Sequence, residues 1–142
     1  MATFNKINLF SQDLCRGSHN FQSGGNTFNA ELSNTATVAT NHLYGDISAN
    51  EVANGGGYTT GGAAITMSDS SSLGVETVNA ASVTWTGSGG GFGPFRYVTP
   101  YNVTTSSPLK PLVCWFDYGS SISLNAGDTF QVSWASGFFT VT

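Results

Sequence analysis

Short runs in which apolar residues alternate with polar ones recur along this chain, each closed by Gly, Asn, Asp, Ser or Pro. A period of two sends successive side chains to opposite faces of an extended strand, whereas a helix needs apolar residues three and four apart. In "SVTWTG", Val83 and Trp85 share one face while Ser82, Thr84 and Thr86 share the other; "TFQVSWA" repeats the device with Phe130, Val132 and Trp134. Strands are expected over residues 27–32, 63–68, 75–79, 81–86, 95–101, 111–118, 121–124, 129–135 and 138–141. Strands this short and this often interrupted favour an all-β fold, an antiparallel two-sheet β-sandwich of which the jelly roll is one arrangement. "PLVCWFDYG" is apolar on both faces, so 111–118 reads as a central strand covered from both sides. "LNAGDTF" reads as the tight turn of a hairpin.

Helix is scarce. "KINLFSQDLCRG" puts Ile7, Phe10 and Leu14 near helical spacing and stops at Gly17, and "HLYGDISANEVAN" is a weaker candidate interrupted by Gly45. The chain of 142 residues fits one domain over 1–142, with residues 1–17 as a possible N-terminal arm. "ANGGGYTTGGAAITMS" has the glycines of a phosphate loop but no lysine, and it matches neither the Walker pattern nor G-x-G-x-x-G. Its glycines instead allow positive φ on either side of Tyr58, whose ring anchors the start of a strand.

Only 8% of residues are charged, against about 25% in an ordinary globular chain, so solubility rests on hydroxyls and amides. Four Lys and Arg against eight Asp and Glu give a net charge of −4, no footing for a nucleic-acid backbone. No apolar run approaches the roughly 18 residues that cross a membrane, and the N-terminus lacks a signal-peptide core. Synthesis in a cytosol is expected, with Cys15 and Cys114 as reduced, buried thiols and the Asn102-Val103-Thr104 sequon unused.

Catalytic signals are weak. His19 and His42 are the only histidines, too few for a three-histidine metal site, and no G-x-S-x-G elbow presents a serine. Cys15 and His19 lie close in sequence, but a nucleophile and its base are brought together by the fold rather than by adjacency. The eight carboxylates are spread thinly; a hydrolase would need two of them about 5–10 Å apart in a cleft. Asp117 suits a turn, and Arg96, between Phe95 and Tyr97, suits pairing with a carboxylate or stacking on an aromatic ring. No enzyme activity, cofactor or metal is expected.

Several segments, in order, carry a resemblance: "DLCRGSHNF", "NTFNAELSNTA", "LYGDISANEVANGGGYTTGGAAI", "SVTWTGSGGGFGPFRYVTPYN", "KPLVCWFDYGSSISLNAGDTFQVSW" and "GFFTVT". Together they resemble a family of small structural proteins of tailed bacteriophages and prophages, some of which are jelly-roll cement, or decoration, proteins on the capsid exterior. The resemblance implies a non-enzymatic virion protein that binds the major capsid protein, joins neighbouring capsomers and self-associates as a homodimer or homotrimer. On that reading contacts are expected from Phe4, Ile7 and Phe10 of the arm, from Phe92, and from Phe138 or Phe139, with core packing as the competing role of each. Removing residues 1–10 is then expected to spare the fold and weaken capsid binding. A carbohydrate- or receptor-binding module of a tail or neck appendage is the alternative, and it requires an exposed platform among Trp85, Trp115 and Trp134.

Overall fold

The computed structural model describes residues 4–134 and 137–142. Among these residues ten strands run in chain order: β1 (Asn5–Lys6), β2 (Phe28–Ser33), β3 (Ala63–Ile65), β4 (Met67–Ser72), β5 (Val75–Ala80), β6 (Val83–Thr86), β7 (Phe92–Asn102), β8 (Cys114–Leu124), β9 (Thr129–Val132) and β10 (Phe139–Val141). All their pairings are antiparallel. They form a five-stranded sheet in the order β1-β8-β7-β2-β3, a three-stranded sheet β10-β5-β4 and a two-stranded ribbon β6-β9. Phe116 of β8 meets Phe138, beside β10, at 6.2 Å between ring centroids, and Phe95 of β7 meets Phe130 of β9 at 5.0 Å. The fold is the expected all-β sandwich, with its second layer divided between the two smaller sheets.

The alternation read in the sequence decides the facing. Val83 and Trp85 are buried while Thr84 and Thr86 are exposed, and they pair across to Val132 and Phe130. The two-sided run also holds: Leu112, Val113, Cys114 and Phe116 are buried, because the five-stranded sheet is covered on both faces. Each such side chain contributes about 1.5–3 kcal/mol by leaving water.

Several boundaries differ from expectation for physical reasons. The runs 111–118 and 121–124 are one strand, β8. Phe95 pairs with Ile122 but Tyr97 with Asp117, so β8 carries the surplus residues of a bulge around Gly119, whose φ is +98°. The run 63–68 is two strands, because the chain leaves β2's partner β3 at Thr66 and enters the other layer as β4. The turn at 124–130 exists, with Asp128 N–H donating to the Asn125 carbonyl at 3.1 Å, but it is not a hairpin. Leu124 is still paired to β7 while β9 pairs with β6, so the turn carries the chain between layers. The last residue of the expected strand 129–135 lies outside the described residues.

The only α-helix among the described residues, α1 (Phe10–Cys15), falls within the first candidate segment. The second candidate forms two 3-10 turns, Tyr44–Asp46 and Ser48–Asn50. Asp46 Oδ2 accepts from the backbone N–H groups of His42 and Leu43 at 2.8 and 2.9 Å, which closes the first turn locally. The N-terminal segment is stitched in rather than free: Asn5 and Lys6 pair with Trp115 and Cys114, and Ile7 is fully buried. Deleting residues 1–10 would therefore remove an edge strand and two core side chains. Both cysteines are free thiols, but only Cys114 is buried, its pKa raised by burial; Cys15 is exposed.

Candidate functional site

Strand β2 sends Phe28, Ala30 and Leu32 to one face and Asn29, Glu31 and Ser33 to the other. On that second face Glu31 stands opposite Thr99 of β7, and Asn29 opposite Tyr101. Residues 34–62 lie over it. The Thr37 and Thr99 hydroxyls are 2.8 Å apart, the Tyr44 ring stacks on Tyr101 at 4.4 Å, and the Tyr101 hydroxyl donates to the Gly61 carbonyl at 2.7 Å. Glu51 ties the segment to itself, accepting from the Tyr44 and Tyr58 hydroxyls, each at 2.5 Å, and from Gly61 N–H at 2.7 Å. Tyr58, buried as its anchoring role requires, also accepts from Leu32 N–H at 3.0 Å. Glycine is obligatory at 62, where φ is +73° and a Cβ would lie 1.9 Å from the Ala30 carbonyl oxygen.

Glu31 is fully buried, and among the described residues neither of its carboxyl oxygens has a hydrogen-bond partner. Burial pushes its pKa up to about 8, with the nearby Glu51 adding to the rise. Thr99, opposite Glu31 on β7, acts against the shift without reversing it. Desolvation first, and then Glu51, also hold the Tyr44 and Tyr58 hydroxyls well above their usual range. The fold thus brings Glu31 and Glu51 near each other, which the sequence did not reveal because "NAELS" reads as an ordinary strand. Their arrangement here is structural: Glu51 is engaged by three donors, and Glu31 is sealed from any substrate.

Two surface cavities lie elsewhere. One, about 390 Å³, is lined by residues that include Asp13, Arg16, Ser18, His42 and Ser107. The buried Asp13 carboxylate is 2.7 Å from His42 Nε2, the orienter-and-base half of a triad. No hydrogen bond joins His42 to either serine hydroxyl among the described residues, so no nucleophile is aligned. Cys15 and His19 are not paired. His19 is buried against the rings of Phe10, Phe21 and Phe28, and its Nδ1 lies 3.3 Å from Asn102 Nδ2. Burial lowers its pKa to about 4, partly offset by Asp13. The second cavity, about 420 Å³, has Phe21, Val78 and Phe139 among its apolar lining, and Asp69 and Glu76 among its polar lining. Among the described residues no group of three or more His, Cys, Asp or Glu side chains could hold a metal ion.

The chain matches no family model, no curated protein and no solved structure.

The expected contact residues lie in the core or pack against it. Ile7, Phe10, Phe92 and Phe138 are buried, and Phe4 and Phe139 are half-buried. Phe4 packs edge-on against Phe116 at 5.9 Å, Phe10 against Phe139 at 5.2 Å, and Phe92 stacks on Phe95 at 5.7 Å. In the folded chain these side chains serve its own core. Trp85 is likewise buried, while Trp115 and Trp134 are half-buried and none of the three is exposed. The large apolar side chains most open to solvent are Leu73, Leu109 and Tyr118. Arg96 does both things its setting allowed: it pairs with Asp117 at 2.7 and 2.8 Å and lies 5.3 Å from the Tyr97 ring centroid. Asp117 also accepts from Gly119 N–H at 2.8 Å, the turn role expected of it.

Proposed function

We propose that this chain is a structural protein of a tailed-phage virion that binds the major capsid protein from outside and cements neighbouring capsomers, itself associating as a homodimer or homotrimer. The observation that carries the reading is the state of the ionic groups on an otherwise hydroxyl- and amide-rich sandwich. There are only twelve Lys, Arg, Asp and Glu side chains in 142 residues, and among the most prominent, Glu31 is sealed, Asp13 is buried against His42, and Arg96 and Asp117 neutralise each other. Such a surface enters close contact with little charge to desolvate, whereas an unpaired buried charge is expensive. Gripping two capsomers makes the second contact intramolecular, so modest single contacts add to firm attachment.

The sequence resemblance supports the same reading. The carbohydrate-binding alternative has no comparable support, because a sugar platform needs exposed tryptophan faces. The test is reconstitution: particles of the encoding phage, stripped of this protein, are incubated with purified chain. Saturable rebinding with increased resistance to heating is the expected result. Absence of rebinding, or cryo-electron microscopy of intact virions lacking the chain on their outer wall, would overturn the proposal.

A further inference from the structure

We propose that the β4–β5 hairpin is the finger by which this protein docks, with Leu73 at its tip entering an apolar socket rimmed by basic side chains on a foreign protein partner. This rests on the capsid reading for the partner's identity. Strands β4 and β5 are joined by the two residues Leu73 and Gly74, with φ of +50° and +80°. Positive φ at both positions is the turn that hairpins use with Asn-Gly or Gly-Gly, and a leucine is among the least suitable residues for the first of them. Leu73 is also fully exposed, the most open of the large apolar side chains. Among the described residues nothing repays either disadvantage, so the side chain is placed for a contact outside the chain. Beyond Met67, every residue of β4 is exposed, so the tip stands clear of the body.

Charge selects the partner. The hairpin, residues 67–80, contains Asp69 and Glu76 and no Lys or Arg. Asp69 pairs with Val78 and Glu76 with Ser71, which puts both carboxylates on one face, lining the 420 Å³ cavity beside Phe21 and Phe139. A partner's Lys or Arg can lay its alkyl stem on those rings and its charged head between the carboxylates. A second copy of this chain offers the opposite of what is needed: it would set acidic finger against acidic groove. Its four basic residues include Arg96, already paired to Asp117, and Lys110, held over Tyr44.

The test uses the full chain, Leu73→Asn, which suits the turn, and the double variant Asp69→Asn with Glu76→Gln, each added to stripped capsids at 50 and 500 mM NaCl. Expected are saturable wild-type binding that weakens with salt, at least about tenfold weaker binding by Leu73→Asn at an undiminished Tm, and a flattened salt dependence in the double variant. If wild type fails to bind, the capsid reading falls and the finger with it. If wild type binds and Leu73→Asn binds equally well, the finger alone is overturned. Native mass spectrometry covers the remaining case: oligomers of wild type that dissociate in Leu73→Asn would overturn the choice of a foreign partner.

Discussion

Residues 34–62 lie flat on the five-stranded sheet and bury their polar groups, whereas the β4–β5 hairpin buries Met67 and Val78 near its base and little beyond them. Both regions are rich in hydroxyl side chains, so that chemistry alone does not separate them. Position does. Along 34–62 the hydroxyls of Thr37, Tyr44 and Tyr58 meet partners inside the molecule, while the serines of β4 face water. One region spends its chemistry on the fold and the other leaves it available.

Two glycine substitutions break this comparison most sharply. At Gly62 an added Cβ would collide with backbone, 1.9 Å from the Ala30 carbonyl oxygen, at a positive φ; Gly74 has an equally left-handed φ of +80° but open space around it. Gly62→Ala is expected to lose more than about 3 kcal/mol, since the covering segment must lift off β2, and Gly74→Ala only about 1 kcal/mol of backbone strain. Urea denaturation of both variants checks the contrast, and equal losses would show that 34–62 is not clamped. Next in size is Tyr58→Phe. Removing one oxygen strips Glu51 of a donor and Leu32 N–H of its acceptor, so a loss of about 2 kcal/mol is expected in the same assay.

How much of this could be read beforehand follows from how local each determinant is. The Val83/Trp85 and Phe130/Val132 facing was readable because side-chain period alone fixes it. Tyr58 between its glycines was readable because a run of positive φ needs glycine whatever surrounds it. The turn at 124–130 was recognisable as a turn, but the choice of strand partner depends on β6 and β7, distant in sequence. Phe10, Phe92 and Phe138 carry the same apolar signal whether they face a partner or the core, and only the packing decides. Glu31 gave no sign of its burial, since the cover that seals it comes from the following thirty or so residues and from β7. Leu73 did leave a trace: a bulky residue before glycine, between two strands, where a turn-former is expected.

Acidity and alkalinity probe the buried side of the comparison. Folding holds Glu31 at about 8 against an ordinary 4.5, so between those values the folded chain keeps a proton that the unfolded chain has released. Stability from this group is complete below pH 4.5 and falls as pH rises toward 8, by up to about 1.4 kcal/mol per unit. His19 works in the other direction. Its folded value of about 4 lies below the ordinary 6.5, so stability is complete above pH 6.5 and falls as pH drops toward 4. The two slopes oppose each other between pH 4.5 and 6.5, so thermal melts should be highest and nearly flat across that range and fall above it. Glu31→Gln should remove the alkaline fall and let the His19 acid limb show up to pH 6.5. An unchanged alkaline limb would mean that Glu31 is not the group being titrated.

The smallest expected effect has a distinctive sign. Most substitutions of a leucine in a folded protein destabilise, because leucine is usually buried. Leu73 makes no such contribution, and its φ of +50° is one that asparagine tolerates and leucine resists. Leu73→Asn should therefore leave the chain as stable as wild type or more so, by up to about 1 kcal/mol, with the heating midpoint raised by a few degrees. A gain would mean that the natural residue is worse for folding than a simple alternative, which a chain retains when the side chain is used by something other than its own fold. A loss of stability would instead bring Leu73 back into the core's account, and the two regions would then differ in degree rather than in kind.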